Sequence, residues 1–127
     1  MKLLLDTHTF LWWDSEPEKL SRRALELCQN PENMIVLSVA SIWEMQIKIQ
    51  LGKLKIKMPL AEMIEQQQQN GIEILPVEAS HIFAVESLPN YHKDPFDRLI
   101  VAQAIVEDAI LVSADPLISQ YPVTVEW

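Results

Sequence analysis

Five short, uninterrupted apolar runs, each set apart from the next by helical spacing, constrain this chain more than anything else in it. The runs are Lys2–Leu5, Met34–Leu37, Ile72–Leu75, Ile110–Val112 and Val123–Val125, each bounded by polar or turn residues. A strand that alternates apolar and polar residues keeps one face wet, whereas one that is apolar throughout needs cover on both faces. Helical patterns occupy a short segment after Asp6, then Glu18–Gln29, Val39–Leu51, Leu60–Gln69, Glu78–Leu88, Pro95–Val106 and a brief segment after Asp115. Strand and helix in alternation predict an α/β fold of three layers, a mostly parallel sheet of about five strands with helices on both faces. With two glycines, no Gly/Ser-rich linker and no repeat, the 127 residues read as a single domain, 1–127, able to bury its own core.

In a parallel sheet, ligands bind in the crevice outside the carboxyl ends of the strands. This chain places acids there repeatedly. Asp6 directly follows the first strand, Asp115 closes LVSAD after the fourth, and Glu44 lies early in the helix after the second. Asp97 falls in the first turn of a helix announced by Asp94-Pro95, with proline suited to the first helical position. Three of the four also fit a local role: Asp115 before Pro116 as an N-cap, Ser41-x-x-Glu44 as a capping box, and Asp94 through Asp97 as another. Asp6 resists that explanation, because a charge closing so apolar a strand does nothing for the core. Asp94 rivals Asp97 as the third acid, and Asp97 is preferred because the apolar LIVAQA pattern begins just after it and turns it inward.

If the sheet is parallel, these carboxylates converge on one edge, where like charges repel and favour protonation unless a cation neutralises them. A hard divalent ion such as Mg²⁺ or Mn²⁺ suits oxygen donors. Zinc suits this sequence poorly: there is one cysteine, and His8, His81 and His92 form no closely spaced pair. A carboxylate-held Mg²⁺ can activate water for phosphodiester hydrolysis, although other phosphoryl chemistry uses the same parts.

Charge bears on the substrate. Ten basic against eighteen acidic residues give a net charge of −8, which argues against gripping nucleic acid by bulk electrostatics. The bases are clustered, however. Lys48, Lys53, Lys55 and Lys57 lie in IKIQLGKLKIK, and Arg22 and Arg23 form a smaller group; each reads either as a solvated face or as phosphate contacts. Asp6 interrupts the apolar start too early for a signal peptide, and no run approaches the roughly 20 apolar residues of a membrane span. The single Cys28, expected on a packed helix face, excludes an internal disulfide and suits a cytoplasmic setting.

Taken together, LLLDTHTFLWW, SIWEMQIKIQLGKL, HKDPFDRLIVAQA and LVSAD resemble the PIN domains of VapC-type toxins from bacterial toxin–antitoxin pairs, in order and over essentially the whole chain. The resemblance implies a twisted parallel sheet and a Mg²⁺- or Mn²⁺-dependent endoribonuclease leaving a 5′-phosphate and a 3′-hydroxyl. It also implies a cognate antitoxin and a homodimer. By motif, Asp6, Glu44, Asp97 and Asp115 correspond to the four family acids, in metal coordination and water activation. Ser113 matches a position where the family often carries a ligand-orienting hydroxyl, a role open also to Thr7 and Ser38, whose hydroxyls equally suit nearby backbone. Arg98 is expected either to touch substrate phosphate or to neutralise the acidic pocket. His92, beside Tyr91 in a loop, is open to a part in the chemistry but reads first as a packing or surface residue. Trp12, Trp13, Met45, Met58 and Met63 suit either the core or a partner groove.

Two other functions fit the class. A receiver-type signalling domain also holds Mg²⁺ in an acidic pocket, but it needs a lysine late in the chain, and none follows Lys93. The second is a PIN-like module that binds RNA or protein without cutting. Four intact acids favour the nuclease.

Overall fold

A computed structural model describes all residues, 1–127. The strands are β1 (Lys2–Leu5), β2 (Met34–Ser38), β3 (Glu73–Leu75), β4 (Ile110–Val112) and β5 (Val125–Glu126). The helices are α1 (Thr7–Ser15), α2 (Arg22–Gln29), α3 (Val39–Gln50), α4 (Leu60–Gln69), α5 (Ala79–Val85) and α6 (Pro95–Val106). All strand pairs are parallel, in the order β3-β2-β1-β4-β5. A receiver domain orders its strands 2-1-3-4-5, so the topology excludes that alternative.

The apolar runs are covered on both sides because alternate residues of a strand point to opposite faces. From β1, Leu3 and Leu5 enter one core with Phe10, Leu27, Met45 and Met63. Leu4 enters the other with Val36, Ile100, Val101 and Leu111. All three β1 leucines are fully buried, which makes this strand the spine of the three layers. Cys28 lies in the first core, where burial pushes its thiol up to about 11 and leaves it inert at neutral pH.

Several expected boundaries shift, the helix over Glu78–Leu88 shortening to Ala79–Val85 among them, and two shifts have a visible local cause. The pattern over Glu18–Gln29 is two elements, a 3-10 turn at Pro17–Lys19 and then α2, because the Ser21 hydroxyl accepts from the Ala24 N–H at 3.0 Å and starts a new helix. The last strand is Val125–Glu126 rather than Val123–Val125, since the Val123 N–H closes a tight turn onto the Tyr121 carbonyl. Beneath the sheet, fully buried His81 ties α5 to α6. Its Nδ1 accepts from the Glu78 N–H and its Nε2 meets Glu107 at 2.9 Å, a bond that holds the Glu107 carboxyl below the usual range.

From β1 the chain steps to β2 and β3 on one side, then crosses to β4 and β5 on the other. The carboxyl ends of β1 and β4 therefore flank the point where strand order reverses, and a crevice opens there. Leu5 pairs with both Leu37 and Val112, so the residues that follow, Asp6, Ser38 and Ser113, stand in one row along that edge.

Candidate active site

Register alone places Asp6 beside Ser113. The Ser113 hydroxyl donates to Asp6 Oδ2 and accepts from the Asp115 N–H at 3.1 Å, linking the acid after β1 to the acid after β4. Asp6 Oδ1 accepts from the Thr9 N–H at 2.8 Å, so Asp6 is also the N-cap of α1. Capping and function share this residue, and its carboxylate is fixed in direction because of it.

Glu44 does not belong to a capping box. Ser38 caps α3 through the Ala40 N–H, and its hydroxyl also meets Gln103, which leaves Ser38 no part in the site. One turn into α3, buried Glu44 accepts the Thr7 hydroxyl at 2.7 Å and pairs with Lys48 at 2.7 Å. Thr7 thus orients an acid rather than facing the crevice.

Asp94 is the true cap of α6, with its Oδ1 accepting from both Phe96 and Asp97 N–H groups. That leaves the Asp97 side chain free to turn into the crevice. Its carboxyl is pushed up to about 7 from the usual 3.8, first by burial, then by the negative charges of Asp94, Glu44 and Asp6, with His92 pulling the other way. Asp97 therefore feels two of the other three expected acids, Glu44 and Asp6, and a group this perturbed in a cleft is a functional-site candidate with a physical cause. Asp115 Oδ1 accepts from the Leu117 N–H at 2.9 Å, a local capping turn, while Oδ2 faces inward.

His92 lies at the centre, contrary to its reading as a packing residue. Its Nε2 is 2.9 Å from Asp115 Oδ2 and 3.2 Å from Asp97 Oδ2. Its Nδ1 accepts from the Asp94 N–H at 3.1 Å, and a backbone N–H can only donate, so the neutral ring carries its proton on Nε2. His92 consequently offers the acids a proton, and no lone pair to a metal. The sequence signal for it is the spacing His92-x-Asp94-Pro95, a turn that aims the ring back at the start of α6.

Arg98 is a correction. Its guanidinium donates to the carbonyls of Pro89 at 2.9 Å, Val85 at 3.4 Å and Leu88 and His92 at 3.5 Å, and to the Tyr121 hydroxyl at 3.3 Å. It pairs with no carboxylate, which overturns the neutralising role; it clamps the loop that carries His92. A lysine cannot reproduce a planar fork of donors. Arg98→Lys should cost about 1 kcal/mol of stability, as exposed and half-buried carbonyls lose partners, and should release His92. Urea denaturation checks this, and an unchanged midpoint would refute the clamp.

The crevice is a cavity of about 370 Å³ lined by Asp6, Asp97, Asp115 and His92, with His8 and Trp12 at its rim. Glu44 sits behind it, joined through Thr7. No lysine or arginine pairs with Asp6, Asp97 or Asp115, and His92 alone bridges two of them, with one ring nitrogen of His92 and one carboxylate oxygen each of Asp97 and Asp115 within 4.8 Å of one another. A larger cavity of about 640 Å³ near Trp13, Cys28 and Gln67 holds one acid, Asp14, and no such cluster.

A sequence profile of the PIN domain matches residues 3–123. The chain is 29% identical over 129 residues to Ribonuclease VapC22 of Mycobacterium tuberculosis, covering 97% of each. In fold it is similar to the structure of VapBC2 from Rickettsia felis bound to a DNA fragment from its promoter, with a TM-score of 0.73 at 21% identity, covering 99% of this chain and 98% of the other. A similar likeness, TM-score 0.65 at 19% identity over 97% and 95% of the two chains, extends to FitAcB from Neisseria gonorrhoeae.

Proposed function

Because the chain belongs to the PIN domain family, we propose that it is a divalent-metal-dependent endoribonuclease acting as the toxin of a toxin–antitoxin pair. The observation that carries this reading is the convergence of Asp6, Asp97 and Asp115 on one cavity that no lysine or arginine neutralises. Its similarity to a ribonuclease of the VapC type supports the activity, and its likeness to VapBC assemblies supports an antitoxin as partner.

The donor set fits a hard cation. The acceptors that converge in the cavity are the carboxylates of Asp6, Asp97 and Asp115, while His92 presents an N–H, and oxygen donors favour Mg²⁺ or Mn²⁺ over zinc. Asp6, Asp97 and Asp115 would hold the ion, with Ser113 fixing the plane of Asp6, and Glu44 adding negative charge from behind. When bound, the ion supplies positive charge to the phosphate oxygens and makes a water more acidic. The residues then align a water with the phosphorus: a new O–P bond forms and the P–O3′ bond breaks, leaving a 5′-phosphate and a 3′-hydroxyl. A cavity carboxylate takes the water's proton, and the departing O3′ is protonated in turn.

Purified protein with a long single-stranded RNA and Mg²⁺ should yield discrete products with 5′-phosphate ends, and excess EDTA should stop cleavage. Intact RNA after prolonged incubation with Mg²⁺ and with Mn²⁺ would overturn the reading in favour of a non-cutting module.

A further inference from the structure

We propose that single-stranded RNA reaches the acidic cavity along a track over α1, with bases against His8 and Trp12 and phosphates against a ridge of three lysines, Lys53, Lys55 and Lys57. This rests on the nuclease reading above and specifies how its substrate is held.

The track is continuous. His8 and Trp12 line both the acidic cavity and a neighbouring one of about 310 Å³ that contains Lys48 and Lys53. That cavity shares Leu11, Glu16 and Leu54 with a third, also about 310 Å³, which contains Lys55 and Lys57. A strand leaving the acids thus crosses two aromatic rings, 6.0 Å apart between centroids, before it meets the lysines. Trp12 is steadied from behind by Trp127, at 5.8 Å.

The lysines are held in order by their neighbours. Between α3 and α4, exposure alternates residue by residue: Lys53, Lys55 and Lys57 are exposed, while Leu54 and Ile56 are half-buried against the core. The apolar residues pin the segment and the lysines extend to solvent, Lys53 at one cavity and Lys55 and Lys57 at the next. None of the three has an acid within ion-pair distance, whereas Lys2, Lys19, Arg23 and Lys48 each do. Glu16, the one acid on the path, is taken by Lys19 at 2.9 Å.

In a chain of net charge −8, an unpaired basic ridge leading to an acidic hole calls for a polyanion. Nucleic acid on this path needs no bulk positive field, because local lysines hold phosphates beyond the acids. The rings favour a single strand, whose unpaired bases can stack on aromatic faces.

The test is binding of a fluorescein-labelled 12-nucleotide single-stranded RNA in EDTA, by anisotropy across a KCl series, for the parent, Lys53→Gln/Lys55→Gln/Lys57→Gln, and Arg22→Gln/Arg23→Gln as control. Loss of three phosphate contacts should weaken binding at least tenfold at low salt and flatten the salt slope by about 2, at roughly 0.7 per contact on single strands. The control should match the parent. Equal affinity and slope for the triple variant, or no binding by the parent, overturns the track and leaves the lysines as a surface for a protein partner. Cleavage in Mg²⁺ is read separately: lysine-dependent binding without cleavage defeats the nuclease reading and leaves the track intact.

Discussion

Asp97→Asn should abolish RNA cleavage, with a loss of about 10³-fold or more, and yet raise the stability of the metal-free protein at pH 8. The loss follows from removing one of three carboxylates that share the cavity, whether it holds the ion or accepts a proton, since positioned acid–base groups alone contribute about 10²–10⁴-fold. The gain follows from the same charge. Asp97 is held near 7 chiefly by burial and by three neighbouring acids, so at pH 8 the folded protein carries an ionised group its surroundings disfavour. Between 3.8 and about 7 the difference is worth about 4 kcal/mol, of which a neutral amide of the same shape should recover a substantial part. The hydrogen bonds that start α6 come from Asp94, so the helix keeps its cap. Cleavage assays and urea denaturation in EDTA decide the matter: a variant that is inactive and less stable would place Asp97 in the architecture rather than the chemistry.

Mg²⁺ should stabilise the protein strongly at pH 8 and weakly at pH 5.5. Asp97 has a folded pKa raised above its unfolded value, so its contribution to stability is fully present below 3.8 and is lost as pH rises through about 7. Above that pH the ionised cluster is available to a cation; below it a proton already occupies the site and competes. An ion at 100 times its dissociation constant adds about 2.7 kcal/mol, or roughly 10 °C in Tm for a domain of this size. At pH 5.5 the same Mg²⁺ concentration should give less than half that shift. Thermal scans at both pH values in EDTA and in Mg²⁺ read it directly, and equal shifts would show that the ion binds elsewhere.

Much of the candidate site was legible because it follows from local pattern plus one topological rule. Asp6 and Asp115 end strands, and parallel strands bring their ends together. Asp97 was separable from Asp94 because the apolar stripe of α6 orients one inward and frees the other to cap. Where local reading failed, one group had two competing partners. Ser41-x-x-Glu44 satisfies the spacing of a capping box, but Ser38 starts the helix and Glu44 is taken by Thr7 from a different element. Arg98 beside Asp97 suggested an electrostatic role, but the loop carbonyls ahead of α6 claim its donors first.

What the amino-acid order determined by itself is the alternation of buried strands with helices and the placing of acids where strands end, because both depend on neighbours within a few residues. Only the folded chain decided that His92 stands between Asp97 and Asp115, that Arg98 holds the loop carrying it, and that Lys53, Lys55 and Lys57 line a path from the same cavity. Those outcomes rest on contacts between separate loops and elements rather than within one of them. The loop carrying His92 has no periodicity to announce its direction, so its side chains point where hydrogen bonds to other elements place them.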